Sequence, residues 1–471
     1  MKPFVTILFC LLFSFGYAQV VTPGNGASYT FQDLSVAYPE AVSISSPGYY
    51  TLRQSLTLSE SDTLLLDANT QEIFCNNTLT ITIYGTVVCA PRTDLLTITS
   101  NTTVCIGDFY DIRLEGSEPC SFSNILFEYG NNILIMQQNV SFDQCEFRYF
   151  SQPCIKYINA SPVIEHCYFH DNRQAAINSA VNVTGAPIIR HNTFYHNVLN
   201  NINQPQINLG PGVAGDTIRI EDNLIEGSVT MSGGIAIANL MNVSQTCAVI
   251  RGNTIIHNRY GYTQNGSDIY AIIEGNEFRD NNLETNPMNG GSGISIYGMD
   301  ENNKALLRNN VITGNLWGIT VINAADVDLG TEDEWGNNHI YDNGNGGVVY
   351  DLYNNSTSDI MAVGNDWGTY NADLIEEHIV HRYDDPSLGL VTFTPFIDVD
   401  GLDESETASF EISPNPAQGR FTVEGKGKMT VSTLLGQVVL TKEIDGKETV
   451  ELPRGLYVLK LGNATRKVVV E

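Results

Sequence analysis

Apolar residues recur along the middle of the chain in short alternating runs broken at regular places. Counted from a repeated polar anchor, Phe142, Ile164, Ile189, Ile220, Ile250, Ile273 and Leu307 stand three residues before it. Phe147, Phe169, Phe194, Ile225, Ile255, Phe278, Ile312 and Ile340 stand two residues after it. Apolar residues on every second position predict strands with one buried face. The anchors are Cys145, Cys167, Asn192, Asn223, Asn253, Asn276, Asn310, Asn338 and Asn365, spaced 22 to 34 residues apart. Gly252, Gly275, Asn309 and Asn337 sit just before anchors and suit a sharp bend. A second asparagine often follows five residues on, as in "RGNTIIHN" (251–258). A third strand then follows, as in "SGISIYG" (292–298), "WGITVIN" (317–323) and "GGVVYDL" (346–352). Three short strands per repeat, with loops of varying length, predict the coils of a parallel β-helix.

Coils of such a solenoid stack about 4.8 Å apart. An asparagine at the same bend of each coil would lie over its counterpart. It could pass a hydrogen bond along the stack and satisfy backbone that no strand ladder reaches. Asn192, Asn223, Asn253, Asn276, Asn310 and Asn338 are therefore read as a structural ladder. Two residues before each anchor stand Asp143, Glu165, Arg190, Glu221, Arg251, Glu274 and Arg308. From Glu165 onward the sign alternates at every coil, which predicts an outward row of stacked ion pairs. Cys145 and Cys167 occupy successive anchor slots, close enough for a disulfide but equally suited to buried thiols.

Composition narrows the partners. The 471 residues carry a formal charge of −29, and 41 of them are glycine. So acidic a chain lacks the basic patch that nucleic acid or an anionic membrane requires. Lys2 followed by the apolar run Phe4 to Phe15 and small Ala18 predicts a cleaved export signal over residues 1–18. Cleavage leaves eight cysteines, whose pairing the sequence does not give. No other apolar run approaches the about 20 residues of a membrane-spanning helix.

The phrase "NNVITGNLWGITVIN" (309–323) resembles the repeat of the right-handed parallel β-helix family with the pectin-lyase-like fold. The resemblance covers residues 50–397. It implies an N-terminal cap region over residues 19–49 and a closing segment over 364–396, with a short helix near 371–381. Many members cleave polysaccharides, so the resemblance implies contact with a glycan. The tail, with "FEISPNPAQGRFTVEG" (410–425), "VSTLLGQVVL" (431–440) and "LPRGLYVLKL" (452–461), resembles the type IX secretion C-terminal sorting domain of Bacteroidetes. It implies a small β-sandwich over 410–471, the type IX secretion machinery as a partner, and a secreted or cell-surface protein from which signal and tail are removed. Acidic residues 398–409 read as the linker between the two.

Candidate chemistry is sparse. There is no Gly-His-Gly and no Asn-Thr-Asp, and the adjacent pair Asp384 and Asp385 falls in the closing segment. Asp326 and Asp328 would share a strand face, with Glu332, Asp333 and Glu334 in the next bend. That set could hold calcium; Asp398, Asp400 and Asp403 are a weaker version. His378 and His381 would lie three apart on the capping helix, a spacing that can hold a metal. His166, His191, His170 and His196 form the best cluster for general-base work. Register places Tyr297, Ile322 and Tyr350 outward on three successive coils. They would form an apolar stripe for a glycan unless the loop 282–291 covers it. Two functions remain open: non-catalytic binding of glycan or another surface partner, and a divergent polysaccharide lyase or glycoside hydrolase.

Overall fold

The computed structural model describes residues 19–76, 78–100, 110–136, 139–397, 410–433, 437–462 and 464–470. The expected export signal and the linker 398–409 lie outside the described residues, as do Asp398, Asp400 and Asp403. The chain divides into two units, one ending at Ile397 and one beginning at Asp398.

The first unit is a right-handed parallel β-helix of three long sheets, with 14, 14 and 13 strands. Each coil gives one strand to each sheet, and like sits on like. In the second sheet Ile220, Ile250, Ile273 and Leu307 are successive partners. In the third they are Ile225, Ile255, Phe278, Ile312 and Ile340. In the first they are Ile235, Tyr262, Ile294, Ile319 and Leu352. All of these side chains are buried and form one continuous core. Phe127, Phe147, Phe169 and Phe194 stack down the axis with ring centroids 5.1, 4.5 and 5.0 Å apart. Each fully buried side chain of this size contributes roughly 1.5–3 kcal/mol.

Single residues in the left-handed region make the two bends that flank each strand of the third sheet. Gln144, His166, His191, Asp222, Gly252, Gly275, Asn309 and Asn337 hold positive φ immediately before an anchor. Asp171, His196, His257, Asp280, Gly314 and Asp342 do so immediately before the second asparagine. Glycine adopts this conformation without strain, and Asn, Asp and His tolerate it better than other residues. The bend histidines are thus accounted for by backbone geometry.

The N-terminal end is closed by the helix Phe31–Ala37, which buries Phe31 and Leu34 against the first coils. Thr30 and Asp33 form a capping box at its start. Asp62 is fully buried and accepts backbone hydrogen bonds from Gly24, Asn25, Gly26 and Ala27. At the other end the helix is Ala372–Glu377, shorter than the 371–381 expected. His378 ends it because the chain must turn back to pair Ile379 with Leu352 in the first sheet.

The second unit is a five-stranded antiparallel sheet built from Glu411–Ser413, Arg420–Thr433, Val438–Glu451, Gly455–Leu461 and Ala464–Val470. Phe410, Phe421, Val423, Met429, Val431, Leu459 and Leu461 are among its buried core residues.

Candidate functional site

The anchor asparagines stack as a hydrogen-bonded row. Asn192 Nδ2 donates to Asn223 Oδ1 at 3.0 Å, and Asn223 Nδ2 to Asn253 Oδ1 at 2.9 Å. The row continues through Asn276, Asn310 and Asn338 to Asn365, at 2.9, 3.0, 2.9 and 2.8 Å. From Asn192 to Asn338 each backbone N–H donates to the same oxygen, and each Nδ2 also reaches the carbonyl three residues before the preceding anchor, as Asn253 does to Ile220 at 2.8 Å, whereas Asn365 Nδ2 reaches Leu329 O. These side chains face inward and are buried, so they are scaffolding and not a surface for ligand.

A second row runs through Asn172, Asn197, Asn258, Asn281, Asn315 and Asn343. The coil between Asn197 and Asn258 has exposed Ser228 in that slot. Gln206, arriving from the first sheet, fills the gap: its Oε1 accepts from Asn197 at 2.9 Å and its Nε2 donates to Asn258 at 3.1 Å. The row ends on buried Asp351, whose Oδ1 accepts from both Asn343 nitrogens at 2.9 and 3.1 Å. Its other oxygen lies 3.1 Å from His378 Nδ1, close enough to pair electrostatically but off the line of a directed hydrogen bond. Burial pushes the Asp351 carboxyl up against the pull of His378 and Asn343, and Asp351 in turn raises His378.

The charged row pairs in part as its alternation implies, but Arg308 is buried and pairs with Asp328, outside the row. Arg190 bonds Glu165, Arg251 lies 3.9 Å from Glu221 and 2.9 Å from Glu274, and Arg308 lies 3.0 Å from Asp328. That last contact bears on the calcium expectation. Asp328 is held by Arg308 and by the Gly330 N–H, Asp326 by Lys304 at 3.0 Å, and Glu332 and Asp333 are exposed. Each strand acid faces a cation on the preceding coil, so the four do not converge, and no metal-holding group occurs among the described residues. The His378 and His381 pair fails for a similar reason. His381 lies beyond the helix, accepts from the Val391 N–H at 2.8 Å and donates Nε2 to Glu376 at 2.6 Å, while His378 faces Asp351.

Histidines of the third sheet are also committed to partners. His166 and His191 stack at 5.3 Å, with His166 2.8 Å from Asp143. His170 touches Glu146 at 3.0 Å and Asp171 at 2.8 Å, and His196 bonds Asp171 as well. Burial raises the Asp171 carboxyl, but the two histidines outweigh it and hold the group below its usual value. Cys145 and Cys167 are free thiols, as are Cys75, Cys89, Cys120, Cys154 and Cys247. Cys145 and Cys167 each direct the sulfur to a backbone carbonyl of their own bend. Burial pushes the Cys75 thiol up to about 12, which leaves it inert.

The outer face of the first sheet differs. Tyr297 and Ile322 are partners on successive coils and both are partly exposed. The third member expected, Tyr350, is out of line: Asn355 is the partner of Ile322. Residues 344–349 form a small hairpin, Gly344–Asn345 with Val348–Val349, so the strand begins later, at Leu352. Tyr350 instead packs on Trp317 at a tilt of 38°, with ring centroids 4.7 Å apart. Tyr353 completes the group 5.6 Å from Trp317 and nearly parallel to it, at 20°. Thr320, the partner of Tyr353, is only 7% exposed. The loop 282–291 reaches the edge of this platform, where Pro287 O accepts from Trp317 Nε1 at 2.9 Å, yet all three rings stay partly exposed. Trp317 carried no signal in the sequence beyond its place in the strand. The periodicity that marks core positions is silent about which outward residues cluster.

Residues 262–372 match a family described as a protein of unknown function, DUF1565, and residues 411–471 match the secretion system C-terminal sorting domain. No curated protein matches the chain. Among solved structures, a point mutant of the periplasmic alginate epimerase AlgG is 14% identical over 78% of this chain and 83% of its own, with a TM-score of 0.48. The unmutated epimerase is 14% identical over 79% and 84%, with a TM-score of 0.43. A mannuronic acid specific polysaccharide family 6 lyase from human gut microbiota is 14% identical over 75% and 85%, with a TM-score of 0.31. No helix among the described residues is long and apolar enough to cross a membrane.

Proposed function

We propose that this right-handed parallel β-helix, exported by its type IX sorting domain, binds a polysaccharide at the cell surface along the outer face of its first sheet. The observation that carries the reading is the Trp317–Tyr350–Tyr353 platform, partly open to solvent and flanked by Tyr297 and Ile322. An outward sheet face that only meets water has no need of three clustered rings. Aromatic rings offer an apolar surface to the face of a sugar ring, and tyrosine adds a hydroxyl for its polar edge. The test is retention on a panel of immobilised polysaccharides. Trp317→Ala and Tyr353→Ala should each weaken binding about tenfold, which corresponds to about 1.4 kcal/mol, with little change in melting temperature. Equal retention of both variants and the parent would sink the proposal.

A second reading, a polysaccharide lyase or hydrolase, has one observation in its favour. Glu146, His170, Asp171 and His196 gather on the third sheet, with Tyr168 stacked 4.2 Å from His170. Against it, both ring nitrogens of His170 already face carboxylates, whereas a base needs a free lone pair aimed at substrate. Release of unsaturated or reducing ends from any polysaccharide in the panel, lost in His170→Ala, would establish this reading over simple binding.

A further inference from the structure

The cations on the coils are mostly matched to carboxylates, as Arg148, Arg251, Arg279 and Arg308 show. Arg259 is an exception. It follows the second asparagine of its coil, is 8% exposed, and forms no ion pair among the described residues. Its Nη2 donates to Asn289 O, while Nε and Nη1 have no acceptor. A buried charge left in this state is costly.

The same loop covers this arginine and reaches the edge of the aromatic platform. Gly291 N donates to Arg259 O at 2.7 Å, and Trp317 N donates to Gly291 O at 3.0 Å. Arg259 and Trp317 therefore lie two coils apart on one corner, about 10 Å. A Cβ on Gly290 would stand 2.9 Å from Arg259 Cγ and 3.1 Å from Nε, so loop backbone rests directly on the side chain. Pro287, three residues earlier, holds the indole edge. Arg173 lies on the same corner three coils toward the N-terminus, as the contacts of Asn200 with Arg173, Met231 with Asn201, and Arg259 with Ser232 show. Its Nη1 also lacks an acceptor.

We infer that Arg259 is an anion subsite beside the platform, and that it takes the carboxylate or sulfate of an acidic sugar. The inference rests on the polysaccharide reading and gives it a substrate class. Binding there requires the loop 282–291 to move aside, so that the sugar oxyanion takes the place of Asn289 O and the guanidinium fork meets two oxygens in place of one. The overall charge of −29 does not forbid this. Diffuse repulsion is screened beyond about 8 Å at physiological salt, whereas a buried guanidinium acts at contact distance.

The test uses matched polymers at fixed ionic strength: xylan against glucuronoxylan, and dextran against carboxymethyl dextran and dextran sulfate. The intact first unit with its tail should hold the acidic member of a pair at least tenfold more tightly than the neutral one. Arg259→Gln should abolish that preference without lowering the melting temperature. Arg259→Lys, which keeps the charge but loses the fork, should retain part of it. Trp317→Ala should weaken both members alike. The carboxymethyl and sulfate arms decide which oxyanion is preferred. Equal binding of neutral and acidic members, or a preference that survives Arg259→Gln, overturns the anion subsite and leaves the platform standing. Binding to none of the five polymers overturns both.

Discussion

Gln206 Nε2 lies 3.1 Å from Asn258 Oδ1, across a gap of 52 residues in sequence. The glutamine does the work of an asparagine that the next coil lacks, and it does so from a different sheet. Its Nε2 also donates to Glu226 O at 2.9 Å. Gln206→Leu should strip the Asn258 oxygen and that carbonyl of this donor and leave the Asn197 amide with Phe169 O alone. Each buried orphan costs about 1–3 kcal/mol, so a fall in stability of at least about 2 kcal/mol is expected. Urea unfolding followed by circular dichroism would measure it, and an unchanged midpoint would show that the second row tolerates a break.

The first row gives a parallel case with no substitute available. Asn253 joins Asn223 and Asn276 and also reaches Ile220 O. Asn253→Ala should cost about 1–3 kcal/mol. Asn253→Ala with Asn276→Ala should cost less than the sum, because both single variants lose the same side-chain hydrogen bond, Asn253 Nδ2 to Asn276 Oδ1. Strictly additive losses in a double-mutant cycle would refute a connected row.

The C-terminal end of the second row should respond to pH. Asp351 raises His378 above its usual value. A histidine raised on folding contributes stability that is fully present below its unfolded pKa of about 6.5 and is lost as pH rises through the folded value. Burial raises Asp351 too, and a carboxyl raised on folding is likewise more favourable at low pH. Melting temperatures should therefore fall from pH 6 to pH 8.5, and Asp351→Asn should flatten that fall. A variant with the same slope as the parent would place the dependence elsewhere.

Export should depend on the tail. Residues 411–471 match the sorting domain and form a unit with its own core. Deleting residues 410–471 should leave the protein in the periplasm of a type IX-competent host. Normal amounts of the truncated protein at the cell surface, detected by protease shaving, would contradict this.

The solenoid was legible because its rule is local and repeated. Ile250, Ile255 and Asn253 stand at fixed offsets, and each coil restates them, so one pattern fixes both the inward face and the bend. The outward face has no such rule. Tyr350 was expected in line with Ile322, but "GNGG" (344–347) folds into a hairpin and Asn355 takes the place instead. A hairpin of four to six residues shifts the register without disturbing the apolar alternation that the sequence displays. Gln206 was invisible because its role depends on an absence in the next coil, at Ser228. Asp326 and Asp328 looked like metal ligands because their partners Lys304 and Arg308 lie twenty or more residues away in sequence and only stacking brings them near.

Asp351 gives the second row a terminus as well as a partner. Every asparagine in it accepts from the coil before and donates to the coil after. An ionised aspartate accepts but has no amide hydrogen to pass on. Another molecule stacked end-on would find no donor there, and it would meet a half-buried histidine and a helix across the opening. Parallel sheets of this length are natural templates for fibres, since their last strands offer unpaired edges. A carboxylate at the end of the amide file gives the second row a closed end inside the chain, with no donor left over to continue it.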